Sequence, residues 1–357
     1  MQIDCHHGMT YVLARMAGFK HEEAEVIAYA AQYVDDATNS GLIKFENGAM
    51  YSRICSAHGV YDLSEHMNEY ENHLVWVPFH FLPGNEGKME NENPDTSFID
   101  KLVCKPDSYV AKEMVSYCVK NSDKDYSLHR LGITMHVYAD TYAHQGFVGM
   151  IHDMNKIEDL EMENEDMGLF NKANSATLSA TFPMGHGPAL QCPDKPYLRW
   201  SYVNGLGERI KRDNLDDFMM AAKAMFGELV RYRFDSGMGE LSDELTENAE
   251  FNFARIKRNL ESFTEPDENE RHARWLASIA KGDFSFEAQD LTYIAKGKDS
   301  WKHKATGQLE EKDDHNEKFP YSKEFLKSDW KLFHDAIQEH RLTVLHDILP
   351  KYGICVA

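Results

Sequence analysis

The sequence predicts an all-α, multi-helix fold, on three observations. Apolar residues recur at three-to-four spacing through several long segments, strand-type alternation is scarce, and the interruptions fall at Gly, Asn and Pro. The first helix is expected from about His7 to Gly18, with Gly18 as its C-cap. A second starts near His21, has Glu22 and Glu23 in its first turn, and carries Val26, Ile27, Ala30, Ala31 and Val34 along one face until Asn39-Ser40-Gly41 ends it. Residues 84–98 form a polar Gly/Pro/Asn loop. Long helices follow from about Ser127 to Phe147 and from Asn214 to Phe234, the latter with Phe218, Ala222, Met225 and Leu229 at helical spacing. Further helices are expected near 246–262, 268–280 and 323–348, whereas 296–320 is charged and weakly patterned, which predicts a mobile loop or linker. Histidines thin out after His186. The chain is therefore expected to divide into a metal-site helical core over 1–200 and a helical extension over 201–357 packed on it.

Composition narrows the function. A hydrophobic fraction of 42% over 357 residues supports a sizeable core, and no stretch approaches the ~20 apolar residues of a membrane span. Met1-Gln2-Ile3-Asp4-Cys5-His6-His7 has neither a basic n-region nor an apolar h-region, which predicts no secretory leader and a cytoplasmic protein. The six cysteines form no CxxC pair, which excludes zinc-finger and thioredoxin-type chemistry and predicts reduced, mostly buried thiols. A net charge of −21 argues against a sequence-independent grip on nucleic acid and against docking on anionic membranes. It suits a site that gathers several divalent cations, although most of the acid is solvated surface.

The sharpest motif is LGITMHVYADTYAHQGF at 131–147. On an α-helix His136, Asp140 and His144 fall at i, i+4 and i+8 and project along one stripe, an imidazole and carboxylate set that suits zinc, manganese or iron. Apolar neighbours predict that this helix is buried, where a carboxylate is costly unless compensated. A cation is the simplest compensation, and a hydrogen-bonded His–Asp–His network is the bland one. Further candidate ligands are His6 and His7 at the N-terminus, Asp35 and Asp36 at the end of the second helix, His80 in the apolar segment VWVPFHFLPG, and His186 between two glycines, with Asp194 beyond it. Trp76, Tyr138 and Tyr142 are candidates for an apolar wall that contacts substrate, against the plainer reading of aromatic packing. The doublets His334-Asp335 and His346-Asp347 are set aside as chance dipeptides.

The order of these residues, an early His, a helix-borne Asp, His80-Phe81, HxxxDxxxH and a later Gly-His, resembles the zinc-dependent phospholipase C and single-strand nuclease superfamily. The segments IAYAAQYVDDA and VPFHFLPG also resemble an uncharacterised bacterial family of that fold, over most of the chain. The resemblance implies an all-helical phosphodiesterase with two or three zinc ions. Asp140 would bridge, Asp35 or Asp36 with His80 and His136 would hold a first ion, and His144 with His186 a second. The N-terminal amine with His6 or His7 would hold a third. Two departures stand out: Leu190 occupies the place of the acid that follows the second-site histidine, and the second histidine of the central motif comes four residues after the aspartate instead of six. The expected activity is hydrolysis of a small phosphodiester or phospholipid head group by metal-activated hydroxide, with Asp35 or Asp36 orienting the nucleophile. Delivery as an effector would reconcile such an activity with the absence of a leader. A non-catalytic, metal-stabilised helical binding protein is the alternative, and a di-metal oxidase ranks low for want of paired Glu-x-x-His.

Overall fold

A computed structural model describes residues 1–58, 69–92, 96–237, 243–309 and 317–356. Parts of the two loops expected at 84–98 and 296–320, and His66, lie outside the described residues.

Two helices set the geometry of the site. Helix α1 (Thr10–Met16) leads through Gly18, whose φ of 88° allows the turn, into α2 (His21–Asp36). The Lys20 backbone N–H donates to Glu23 at 2.8 Å and so closes the N-terminus of α2. Among the later helices are α3 (Glu69–Phe79), α4 (Phe98–Leu102), α5 (Tyr109–Lys120) and α6 (Ser127–Ala143). Every residue of α6 from His129 to Ala143 is buried, which matches its apolar run.

Helices α2 and α6 touch backbone to side chain at Gly132. A Cβ there would lie 2.3 Å from the Ile27 carbonyl oxygen and 2.7 Å from Ala30 Cβ. Gly132→Ala is therefore expected to destabilise the protein by about 3 kcal/mol, the upper range of overpacking costs, as read from the urea midpoint. A wild-type midpoint would mean that the two helices separate freely.

The all-α expectation is corrected: the structure is 57% helical and 10% strand, a mixed α and β protein with two three-stranded sheets. In one, β1 (Gly41–Phe45) pairs antiparallel with β2 (Met50–Arg53) and parallel with β6 (Lys318–Phe319). In the other, β4 (Arg199–Asn204) lies between β3 (Ile157–Met162) and β5 (Arg209–Asp213), antiparallel to both. These strands are six residues or fewer, half polar, and in the first sheet joined by residues about 270 apart, so periodicity over a helical window passes over them.

The main core joins α1, α2, α5 and α6 to α8 (Asn214–Asp235), whose Phe218, Ala222, Met225 and Leu229 are all fully buried. Helix α7 (Gly168–Thr181) lies between the strands β3 and β4 in sequence. Helices α9 (Asp243–Ser262) and α10 (Glu268–Ala280) also match their expected places. The stretch 296–320 does not behave as a linker throughout. It contains α11 (Trp301–Thr306), and Trp301 is buried and stacked on Tyr29 at 3.8 Å in a second, aromatic core with Phe45, Trp330 and Phe333. One large aromatic anchors a segment that charge alone marks as solvated. The C-terminal helix expected at 323–348 divides into a short 3-10 turn, α12 (Asp329–Leu342) capped by Ser328, and a π-helical turn. Cys5, Cys55, Cys104, Cys118 and Cys192 are buried free thiols. No described helix is long and apolar enough to cross a membrane.

Candidate metal centre

The C-terminal half of α6 carries His136 and Asp140 one turn apart, and His144 follows as the residue that ends the helix. The last turn of α2 brings Asp35 against them. His80 follows the end of α3, and His186 and Asp194 come from a loop of short 3-10 turns. Residues Asp4–Met9 form a π-helical turn that adds His6. The first residues are fixed by Arg271 of α10, itself fully buried. Its guanidinium donates to Asp4 at 2.8 Å, to the Gln2 side chain at 2.5 Å and to the Glu265 carbonyl at 2.6 Å.

Asp140 is the hub. Its Oδ1 lies 3.2 Å from His6 Nε2 and 2.6 Å from the Met1 nitrogen. Its Oδ2 lies 3.3 Å from His136 Nε2 and 3.5 Å from both His80 Nδ1 and His144 Nδ1. Asp35 Oδ1 stands 3.8 Å from His80 and His136. On the other side, Asp194 faces His144 Nε2 at 3.1 Å, His186 Nε2 at 3.5 Å and the Met1 nitrogen at 3.1 Å.

Four of these imidazoles are oriented by backbone carbonyls. His136 Nδ1 donates to Ala31, His80 Nε2 to Ser56, His144 Nδ1 to His80 and His186 Nδ1 to Leu190, all between 2.8 and 3.0 Å. A carbonyl only accepts, so the nitrogen bonded to it carries the hydrogen, and in a neutral ring the opposite nitrogen carries a lone pair. In each ring that opposite nitrogen is the one turned toward Asp35, Asp140 or Asp194. His80 Nδ1 and His136 Nε2 also face each other at 3.3 Å. Leu190 explains one departure noted in the sequence: its left-handed backbone (φ 56°) aims a carbonyl at His186, and Asp194 supplies the acid.

The electrostatics lean the same way. Burial, reinforced by His136, lowers His6 to about 4, and burial lowers His136 and His144 to about 4 against the pull of Asp140. Burial works against the charged form of Asp140, but His144, the Met1 amine, His136 and His6 hold it well below the usual carboxylate range. Asp194 is lowered in the same manner, with burial outweighed by the Met1 amine and His186. Burial likewise opposes charge on His80 and on the Met1 amine; nearby carboxylates outweigh it, raising His80 and bringing the amine to about 11. Lost hydration raises Asp35 to about 6. Neutral His136 and His144 thus turn lone pairs toward ionised carboxylates in a buried place, whereas His80 leans to its charged form. Among the described residues, Asp140 Oδ2 and both nitrogens of His6 have no hydrogen-bond partner.

This donor set fits cations. Three groups place their ligand atoms within 4.8 Å of one another: His6, His136 and Asp140; Asp35, His80 and His136; and His144, His186 and Asp194. Several His and Asp groups are thus positioned to bind metal ions, and imidazole with carboxylate suits zinc, manganese or iron alike.

The site opens into a cleft of about 930 Å³ bordered by Asp35, His80, Asp140, His144, His186 and Asp194. Trp76 lines it as expected, beside Phe81, Phe182 and Met184. Tyr138 and Tyr142 do not line it: Tyr138 donates to Asp107 at 2.6 Å, and Tyr142 packs on Tyr138 in the main core. Asp36 reaches the cleft but stands outside the ligand groups, taking hydrogen bonds from Tyr293 at 2.6 Å and Gln32 at 3.1 Å. His7 is also outside them, turned to the opposite side of its turn and bonded to His272 at 2.9 Å. Arg271, His272 and Tyr293 have no motif spacing to the histidine cluster. The amphipathic pattern of 268–280 alone placed two of them on a helix.

The fold and site define a mixed α and β protein with a histidine- and aspartate-lined cleft equipped to hold cations. The chain belongs to the family of unknown function DUF6765, which matches residues 1–348. No curated protein and no solved structure matches it.

Proposed function

We propose that the protein is a metal-dependent hydrolase of small phosphodiesters or phospholipid head groups, of the zinc-dependent phospholipase C and nuclease type. The observation that supports this most is the set of carbonyl-oriented imidazoles whose opposite nitrogens converge on three buried or cleft-floor carboxylates. Asp35, His80, His136 and Asp140 would hold one ion, and His144, His186 and Asp194 a second. His6 with Asp140 would hold a third, together with the Met1 amine. Bound ions of this kind supply Lewis acidity and lower the pKa of water toward ~7.

Asp35, a third exposed to the cleft, would hold its ion at the open edge of the site, where attacking water arrives. Asp36, already engaged by Tyr293 and Gln32, orients the wall beside it. Among the described residues no Lys or Arg lines the cleft, and Trp76, Phe81, Phe182 and Met184 give it an apolar side. That combination and the charge of −21 favour a small substrate with an apolar part over a polyanion. A purely structural metal site is closed to water; the open cleft beside these residues favours catalysis.

The test is metal content by mass spectrometry for wild type and His136→Ala, purified without chelators, with hydrolysis of a chromogenic phosphodiester alongside. Two or three zinc or manganese ions per chain, reduced in the variant together with turnover, are expected from the three ligand groups. Metal-free wild type would leave a buried hydrogen-bonded network as the better account.

A further inference from the structure

The cleft that borders the ligand groups is also lined by α10, which contributes Glu268, Asn269 and His272. Arg271 locks this helix in place through Asp4 and Gln2, and Gln2 in turn donates to Glu268 at 3.2 Å. His272 is the unexplained member. Its Nε2 meets His7 Nδ1 at 2.9 Å, and its Nδ1 has no partner among the described residues, in a ring that lines the cleft.

The pair of rings fixes its own protons. One hydrogen lies between His7 Nδ1 and His272 Nε2, and the other nitrogen of His7, Nε2, is buried with no partner. If His272 donated, neutral His7 would carry an N–H on that buried, partnerless atom. If His7 donates, the same atom carries only a lone pair. A buried N–H without an acceptor is the rarer and costlier of the two. His7 therefore donates, His272 Nε2 accepts, and the hydrogen of His272 sits on Nδ1, facing the cleft.

We propose that His272 is a substrate-contacting residue, held by His7 in the tautomer that presents its Nδ1–H to a phosphoryl oxygen in the cleft. The inference rests on the phosphodiesterase reading. In a cleft that no described Lys or Arg lines, this N–H is a fixed donor for an anionic oxygen. It also gives His7 a role: an orienting residue behind His272.

The probe is inorganic phosphate titrated into the zinc-loaded full chain, with zinc content and Tm recorded for each variant. His272→Ala is expected to weaken phosphate roughly 10- to 100-fold, the range of a hydrogen bond to a charged group, with zinc content unchanged and Tm lowered, because the buried His7 Nδ1–H loses its acceptor. His272→Asn places an amide near the position of Nδ1 and is expected to stay within about threefold of wild type, whereas His272→Gln reaches to the position of Nε2 and is expected to behave like His272→Ala. Phosphate affinity unchanged in His272→Ala, or equal in the Asn and Gln variants, overturns the inference alone. Wild type that binds zinc but no phosphate overturns the phosphodiesterase reading and the inference with it.

Discussion

Asp140→Asn is expected to cut bound metal to about one ion per chain and phosphodiester hydrolysis by at least a thousandfold or so. Asp140 is nearly isosteric with Asn, so the change removes charge and leaves shape. Both oxygens of Asp140 serve: Oδ1 meets the Met1 nitrogen and His6, and Oδ2 meets His80, His136 and His144. An amide keeps one weakly basic oxygen and turns two N–H groups toward rings or amine. The metal-free variant is expected to lose about 3–5 kcal/mol in urea unfolding, because the buried amine cation 2.6 Å from Oδ1 loses its nearest partner. Wild-type metal content in Asp140→Asn would remove the bridging role and with it the proposed arrangement of ions.

Acid is expected to unfold the metal-free protein near pH 5, before Asp140 and Asp194 take up protons. His6, His136, His144 and His272 are each lowered from 6.5 to about 4, and His334 to about 3, in every case chiefly by burial; His7 and His340 are lowered well below 6.5. Below pH 6.5 the unfolded chain takes up a proton at each of these rings and the folded chain does not. Protons therefore favour the unfolded state, and stability falls as pH drops from 6.5 toward 4. Asp35, raised from 3.8 to about 6, acts oppositely over most of that window but is one group against seven. His80, raised above 6.5, is charged in both states there and contributes nothing to the slope. Asp140 and Asp194, both lowered, stabilise above pH 3.8 and extend the loss to lower pH. At about 1.4 kcal/mol per ring for each pH unit, a stability of ordinary size is exhausted within about two units. The check is Tm against pH after chelation: a steep fall between pH 6.5 and 5 is expected, and a flat profile down to pH 4.5 would contradict the burial of these rings. Metal-loaded protein is expected to hold its Tm to lower pH, until protons displace the ions.

Which parts of this were legible in the sequence follows from the range of the interactions. Helices α2, α6, α8 and α10 are written in local periodicity, and their bounds match the expected ones within a few residues. His136, Asp140 and His144 were legible for the same reason, since one helix sets their spacing. Strands β1 and β6 were not, because each is short and their pairing depends on residues that only the folded chain brings together. Asp194 had no spacing to recommend it: its place depends on the loop around Leu190, whose left-handed backbone no periodicity encodes. His6 and His7 were indistinguishable as neighbours in a row. The helical turn points one into the ligand group and the other to His272. Trp301 shows the opposite error, in which a charged neighbourhood hid one anchoring ring.

The salt bridge from Arg271 to Asp4 spans 267 positions of chain. During synthesis the first residues emerge long before α10 exists, so the turn that carries His6 lacks its Arg271 anchor until α10 has been made. A centre completed by such a late contact would load its full complement of ions only after α10 has folded against the first residues. Until then, a nascent chain ending before α10 offers an open, partly assembled cluster of imidazoles, which folding of the remainder must close.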